Sequence, residues 1–137
     1  MKIILLIMIG LSLLKAEFLK SGDIVKDSIS KLEWQDDAVG STMAWEDAIT
    51  YCEDLSLGGY SDWRLPNVNE LKSIVDRVKV YPAIKDGFEN VSSNYYWSST
   101  THDFYKDYAW IVDFDYGFVG SDYKVDSYYV RCVRDGQ

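Results

Sequence analysis

The stretch 58–67, GGYSDWRLPN, most constrains the fold because it ends one predicted helix and begins another. Its glycine pair follows an apolar-periodic segment, and glycine readily takes the positive φ that closes a helix C-terminus. Pro66 then forces Leu65 out of the α region and into extended chain. Asn67 and Glu70 have the spacing of a capping box, so a second helix is predicted to begin there.

The same stretch assigns roles to the side chains between the two helices. Side chains alternate in extended chain, so Trp63 and Leu65 point to one side and Arg64 to the other. We expect Trp63 to anchor the core and Arg64 to hold a carboxylate or backbone carbonyls nearby. The expected role is structural rather than chemical for the motif Trp63, Arg64, Leu65 and Pro66.

Residues 1–16 are predicted to be a secretory signal peptide, which leaves 17–137 as one domain. Lys2 precedes an apolar run from Ile3 to Leu14, and Lys15 and Ala16 follow it. The run is too short to span a bilayer comfortably. Cleavage after Ala16 is the preferred interpretation, and an uncleaved membrane anchor is the alternative. We therefore expect export to the periplasm, the cell surface or the extracellular space, with no stable membrane insertion after cleavage.

The predicted mature domain is strongly acidic. Removing 1–16 takes away Lys2 and Lys15 and no acidic residue, so the formal charge moves from −8 to −10. A field of this sign repels nucleic acid, anionic lipid and polyanionic glycans. It is compatible with divalent cations, neutral sugars or a basic protein as partners.

The chain has two cysteines, Cys52 and Cys132. An oxidising compartment favours a disulfide between them, and two unpaired buried thiols are the alternative. The bond would tie the first helix to the last strand. Closing so long a loop is worth roughly 4 to 5 kcal/mol in the chain-entropy model.

Apolar periodicity predicts two helices followed by antiparallel strands, an order typical of an α+β fold. Thr42 is the predicted N-cap of the first helix, whose inner face carries Trp45, Ala48, Ile49, Cys52 and Leu55. The second helix is predicted over about 68–78, with an inner face of Leu71, Ile74, Val75 and Val78. Two short strands with a turn near 27–28 precede the helices, and later strands are predicted over 95–100, 108–114 and 128–134. The irregular connection before 95 is long for a compact domain and is interpreted as a candidate functional loop.

Five motifs, taken in order, resemble the Lcl C-terminal domain family, a bacterial family named after a collagen-like surface adhesin. The resemblance covers about 22–134. The motifs are Leu32-x-Trp34-Gln35-Asp36, Trp45-x-x-Ala48-x-x-x-Cys52-x-x-Leu55, Trp63-Arg64-Leu65-Pro66-x-x-x-Glu70-Leu71, Tyr96-Trp97-Ser98-Ser99-Thr100 and Tyr129-Val130-Arg131-Cys132-Val133-Arg134.

The resemblance implies a variant of the C-type-lectin-like fold, similar to the formylglycine-generating-enzyme subgroup. Two helices would pack on a small twisted antiparallel sheet, and long loops would present the ligand surface. Export and a homotrimer are implied as well. In the adhesin the domain is associated with sulfated glycosaminoglycans. This chain departs from that pattern, because it has no collagen-like repeats and no evident basic surface for sulfates.

The sequence offers few residues for catalysis or metal binding. It has no nucleophile motif of the G-x-S-x-G kind, and His102, the only histidine, is expected to be exposed. No cofactor is predicted, although an irregular calcium site is left open. The aspartates considered for it are Asp113, Asp115, Asp122 and Asp126. They form no EF-hand, because Lys124 stands where the loop requires glutamate.

Aromatic residues are dense after residue 94, and a core of this size cannot bury them all. Trp110 and Phe114 are predicted to share a core face. Tyrosine in loops supplies rigid amphipathic contact area, and five aromatic residues in connections are the predicted binding surface: Phe104, Tyr105, Tyr116, Phe118 and Tyr123. The predicted function is an exported, non-catalytic binding or adhesion domain for a glycan or a protein. The alternatives are a formylglycine-generating-type enzyme and a calcium-dependent lectin-like domain.

Overall fold

Residues 15–136 fold into two helices and two small antiparallel sheets, which confirms the predicted α+β class. A computed structural model describes residues 15–136, so the predicted signal peptide lies outside the described residues except for its last two positions. The helices are α1 (Trp45–Glu53) and α2 (Val68–Ser73). The strands are β1 (Phe18–Ser21), β2 (Ile24–Asp27), β3 (Glu33–Gln35), β4 (Tyr95–Thr101), β5 (Tyr108–Asp113), β6 (Val119–Tyr123) and β7 (Val133–Arg134). Over 15–136, neither helix has the length and apolar character needed to cross a membrane.

The seven strands form one four-stranded sheet and one three-stranded sheet. One sheet has the order β1-β2-β3-β7 and the other the order β4-β5-β6. The predicted strands on either side of the turn near 27–28 are confirmed as β2 and β3, and β1 is an additional strand that the sequence did not predict. β7 is shorter than predicted, because 128–132 runs extended with only single bridges, from Tyr128 to Met43 and from Tyr129 to Tyr96.

The start of α2 confirms the predicted capping box. Oδ1 of Asn67 accepts the Glu70 amide at 2.8 Å, and Oε1 of Glu70 accepts the Asn67 amide at 2.9 Å. Arg64 donates Nη1 and Nη2 to the two carboxylate oxygens of Glu70, each at 2.7 Å. The predicted carboxylate partner of Arg64 is therefore the capping residue itself, and Trp63 and Leu65 are buried as expected.

The prediction that α2 extends to Val78 is wrong. The helix stops after six residues, with Ile74 as its C-cap. The chain then bonds to a neighbouring segment, where the Lys85 amide donates to the Ile74 carbonyl at 2.9 Å and the Asp76 amide donates to the Ala83 carbonyl at 3.1 Å. These tertiary hydrogen bonds replace a further helical turn, and the side chain of Val78 is 95% exposed rather than in the core.

The predicted N-cap of α1 is also wrong. Ala44 occupies the N-cap position and makes no side-chain capping bond, whereas Thr42 lies outside the helix. The amide of Trp45 donates instead to the carbonyl of Lys124 at 3.0 Å. A distant segment of chain thus satisfies the first helical donor, which removes the need for a local cap.

The glycine pair of 58–67 does not end α1 as predicted. The helix closes at Asp54, whose amide donates to the Thr50 carbonyl at 2.9 Å. The two glycines have φ of 64° and 84° and form a tight turn, in which the Leu57 and Tyr60 backbones exchange hydrogen bonds of 3.0 Å.

Cys52 and Cys132 form a disulfide, as predicted, and both are fully buried. The bond joins the inner face of α1 to the residue that precedes β7. The predicted face of α1 is confirmed, because Ala48 and Cys52 are buried and its other members pack against the same cluster: Trp45, Ile49 and Leu55.

Phe114 is buried, but the prediction of Trp110 as a core residue is wrong. Ala109 and Ile111 fill the core beneath β5. Alternation places Trp110 on the opposite face with Val112, which packs with Phe114 in a second core cluster. Trp110 does share that face with Phe114, but it stacks on His102 at the other end of the strand and is only half-buried.

A buried carboxylate fastens the long connection that follows α2. Asp36 is fully buried and accepts Lys20 Nζ at 2.6 Å, the amides of Glu89 and Asn90 at 2.9 and 3.0 Å, and Arg131 Nη1 at 3.1 Å. Burial opposes ionisation, but these donors together hold the pKa of Asp36 below its usual value. This part of the connection is therefore held against the β1-β2-β3-β7 sheet.

Candidate binding surface

His102 organises the loop between β4 and β5. Its Nδ1 accepts the amides of Phe104 and Tyr105 at 3.1 and 3.3 Å, and its ring stacks on Trp110 with centroids 4.7 Å apart. The expectation that His102 is merely exposed is wrong, since it is half-buried between the loop and the strand. Held in this way, the loop projects Phe104, whose side chain is 85% exposed, and Tyr105.

A row of tyrosine rings continues from this loop across the strands. Tyr108 of β5 and Tyr123 of β6 are partners in the register, and their ring centroids lie 4.3 Å apart. Tyr105 lies 5.6 Å from Tyr108. A hydrogen bond with Tyr123 raises the pKa of Tyr108 to about 12, with smaller contributions from burial and nearby negative charge. We call Phe104, Tyr105, Tyr108 and Tyr123 the tyrosine end.

The tyrosine end opens into a cleft of about 450 Å³ beside the start of α1. Three carboxylates line it, from Glu46, Asp47 and Asp107. The cleft also contains Lys124, whose Nζ lies 4.1 Å from the centroid of the Trp45 ring. Its walls are joined by the hydrogen bond of 2.8 Å from the Lys124 amide to the Asp107 carbonyl. The cleft is thus acidic, with one aromatic wall at Tyr123.

Tyr116 and Phe118 lie away from the tyrosine end, at the turn that joins β5 to β6. The register pairs Tyr108 with Tyr123 at one end of this hairpin and Val112 with Val119 at the other. The five predicted binding residues therefore form two groups, and the prediction that Tyr123 lies in a connection is wrong, because it pairs with Tyr108 as the last residue of β6. Sequence reasoning missed Tyr108, because its place opposite Tyr123 depends on the register of the β5–β6 hairpin.

The five motifs of the resemblance all lie in the two sheets, the two helices and their junctions. The model of the Lcl C-terminal domain family matches residues 23–134. The chain belongs to this family. A comparison with curated proteins found no match.

Within this Lcl C-terminal domain, the aspartates considered for calcium do not come together. Asp122 and Asp126 interact near the tyrosine end, where Tyr128 donates its hydroxyl to Asp122. The hydrogen bond from Tyr128 lowers the pKa of Asp122, and the hydrogen bond with Asp122 raises the pKa of Asp126. Asp113 and Asp115 lie at the opposite end of the hairpin. Across 15–136, no three or more His, Cys, Asp or Glu residues are grouped to hold a metal ion.

Proposed function

We propose that this Lcl C-terminal domain is an exported, non-catalytic binding module whose ligand surface is the tyrosine end with its adjoining cleft. The observation that carries the proposal is the continuous row of three tyrosine rings, with centroid spacings of 5.6 and 4.3 Å, that opens into the cleft. The His102 hydrogen bonds and the pairing of β5 with β6 hold these rings in place before any ligand arrives. Such preorganisation reduces the entropic cost of binding.

The chemistry of this surface suits a neutral glycan or a basic segment of a protein. Tyrosine rings stack on sugar faces and attract cations, and their hydroxyls donate or accept hydrogen bonds. The carboxylates of Glu46, Asp47 and Asp107 accept hydrogen bonds from sugar hydroxyls or pair with basic side chains. An anionic ligand would meet repulsion from the same groups, in keeping with the chain's formal charge of −8.

The state of the cysteines supports a non-catalytic role. A formylglycine-generating-type enzyme would use a reactive cysteine pair, whereas both cysteines here are buried and bonded to each other. A disulfide across α1 and the β7 segment stabilises the scaffold on which the tyrosine end is built.

The proposal is tested by screening the protein against immobilised neutral glycans and basic peptides, with and without a chelator to detect a calcium-dependent lectin. For any ligand found, Tyr105→Ala and Tyr123→Ala are each expected to weaken binding about two- to tenfold, because a ring contact is worth roughly 0.5 to 1.5 kcal/mol. Tyr116→Ala, an exposed tyrosine outside the proposed surface, is the matched control. If the tyrosine-end variants both bind as tightly as the control, the assigned surface is wrong.

A further inference from the structure

Residues 77–81, RVKVY, form an apolar projection at the end of the β5–β6 hairpin opposite the tyrosine end. Val78 is 95% exposed, and Val80 and Tyr81 are exposed as well. The Tyr81 ring meets the edge of Tyr116 with centroids 5.1 Å apart, and Tyr116 lies 6.3 Å from Phe118. We call residues 77–81 with Tyr116 and Phe118 the valine loop surface.

The backbone of this loop is held in its exposed position. Oδ1 of Asp76 accepts the Val78 amide at 3.0 Å, and the Asp76 carbonyl accepts the Lys79 amide at 3.2 Å. The Tyr81 amide donates to the Asp115 carbonyl at 2.9 Å. The valines therefore cannot fold back on the domain without breaking these bonds, and an exposed apolar surface of this kind marks an interaction site.

The segment that carries the loop differs in charge from the whole chain, although Asp113 and Asp115 of the adjoining turn also lie near Tyr81. The segment 72–86 contains four basic residues against Asp76 and Asp86, a local balance of +2 in a chain of −8. The guanidinium of Arg77 lies 5.3 Å from the Phe118 ring centroid, and Lys79 is paired with Asp86. Apolar tips interleaved with cations match the boundary between acyl chains and phosphates in a phospholipid bilayer.

The position of the described N-terminal residues points to the same partner. Residues 15–19 line a recess together with Asp76, Lys85 and Asp86, the residues that flank the loop. In sequence, the apolar run 3–14 directly precedes them. A chain that keeps this run as a membrane anchor would join the bilayer beside the valine loop surface.

The geometry points to the valine loop surface as a contact with the lipid–water interface of a net-neutral phospholipid membrane. Val78, Val80 and Phe118 enter the interface, while Arg77 stays at the phosphate level. The tyrosine end then faces away from the membrane, where it is free to bind a ligand. The acidity of the rest of the domain disfavours an anionic bilayer. This inference does not rest on the proposed function, since the two surfaces lie at opposite ends of the hairpin.

The test uses the full chain with Val78→Cys carrying a polarity-sensitive fluorophore, mixed with phosphatidylcholine vesicles. The matched control is Val125→Cys, which is 83% exposed near the tyrosine end. The label at position 78 is expected to brighten roughly twofold or more as it leaves water, and to be quenched by nitroxide lipids, whereas the label at 125 is unchanged. Both labelled variants carry residues 1–16, so comparing them separates contact by the loop from association driven by residues 1–16 alone.

Three results would overturn the inference. The first is an unchanged label at position 78, and the second is an equal response at positions 78 and 125. The third is brightening at 78 that depends on protein concentration without vesicles, since this would identify a second copy of the chain as the occupant. Adding phosphatidylglycerol is expected to weaken the response, and a stronger response would contradict the preference for a net-neutral surface.

Discussion

The imidazole of His102 stacks on the indole of Trp110, with ring centroids 4.7 Å apart and 24° between the ring planes. This contact sets the height of the β4–β5 loop above the strand. The hydrogen bonds that His102 accepts from the amides of Phe104 and Tyr105 then fix the direction in which these two residues project. A residue outside the proposed ligand surface therefore determines the shape of that surface.

Replacing His102 separates the contribution of its ring stacking from that of its hydrogen bonds to the loop amides. His102→Phe keeps an aromatic ring on Trp110 but removes the acceptor, so the amides of Phe104 and Tyr105 are expected to exchange their hydrogens faster. The loss in unfolding free energy should be about 1 kcal/mol, the net value of such hydrogen bonds. Hydrogen exchange followed by NMR measures the first effect and urea unfolding the second.

His102→Asn is the matched control, because its side-chain oxygen can accept from amides two residues further along the chain. It is expected to retain the protection of the Phe104 amide while losing the stacking on Trp110. Equal protection in the phenylalanine and asparagine variants would show that stacking alone orders the loop.

The features that sequence predicted correctly are those set by near neighbours. The two capping-box residues, Asn67 and Glu70, stand three positions apart, and Arg64 reaches Glu70 within the same short segment. The disulfide was predictable because Cys52 and Cys132 are the only two cysteines of the chain. Local spacing and composition are enough for such features.

The features that sequence missed depend on segments far apart in the chain. Val78 leaves the core because residues near 83–85 bond to the end of α2, and α1 needs no local cap because Lys124 supplies an acceptor. Half of the candidate site was predictable, as exposed loop aromatics. The split between the two ends of the hairpin, and the part played by His102, required the strand register and the loop conformation.

Asp36 is expected to be among the most sensitive positions in the domain. Asp36→Asn removes the charge that compensates Lys20 and Arg131 in a buried site, and breaking such a network costs about 3 to 5 kcal/mol. Urea unfolding at neutral pH measures the loss. Asp103→Asn, at an exposed carboxylate, serves as the control and should change stability by less than about 0.5 kcal/mol. Similar small effects in both variants would contradict a structural role for the buried network.

Stability is expected to fall as the solution is acidified. Hydrogen bonds and the charges of their donors hold the pKa values of Asp36 and Glu70 below their usual values, against the opposing effect of burial. A carboxyl with a depressed folded-state pKa stabilises the protein above its unfolded pKa, about 4 for these groups, and loses that contribution as the pH falls through the folded value. Urea midpoints between about pH 5 and pH 3 should decline less steeply for Asp36→Asn than for the wild type. Equal slopes would contradict the assignment to Asp36.

The disulfide should make a large contribution to stability. Reduction after unfolding, followed by refolding in reductant, is expected to lower the unfolding free energy by roughly 4 to 5 kcal/mol. The double variant Cys52→Ala, Cys132→Ala should be insensitive to reductant and provides the control. Because the two sulfurs are bonded to each other, alkylation should modify neither cysteine, even when the native material is unfolded without reductant. Two alkylatable thiols in native material would contradict the disulfide-bonded scaffold.

The most direct test of the account is an NMR titration with the tightest glycan or peptide from the binding screen. Amide shift changes are expected at 104–108 and 122–126 and near Glu46 and Asp47, with residues 77–81 and 115–118 unaffected. Shift changes confined to other parts of the domain, with the tyrosine end silent, would contradict the assignment of this surface as the ligand site.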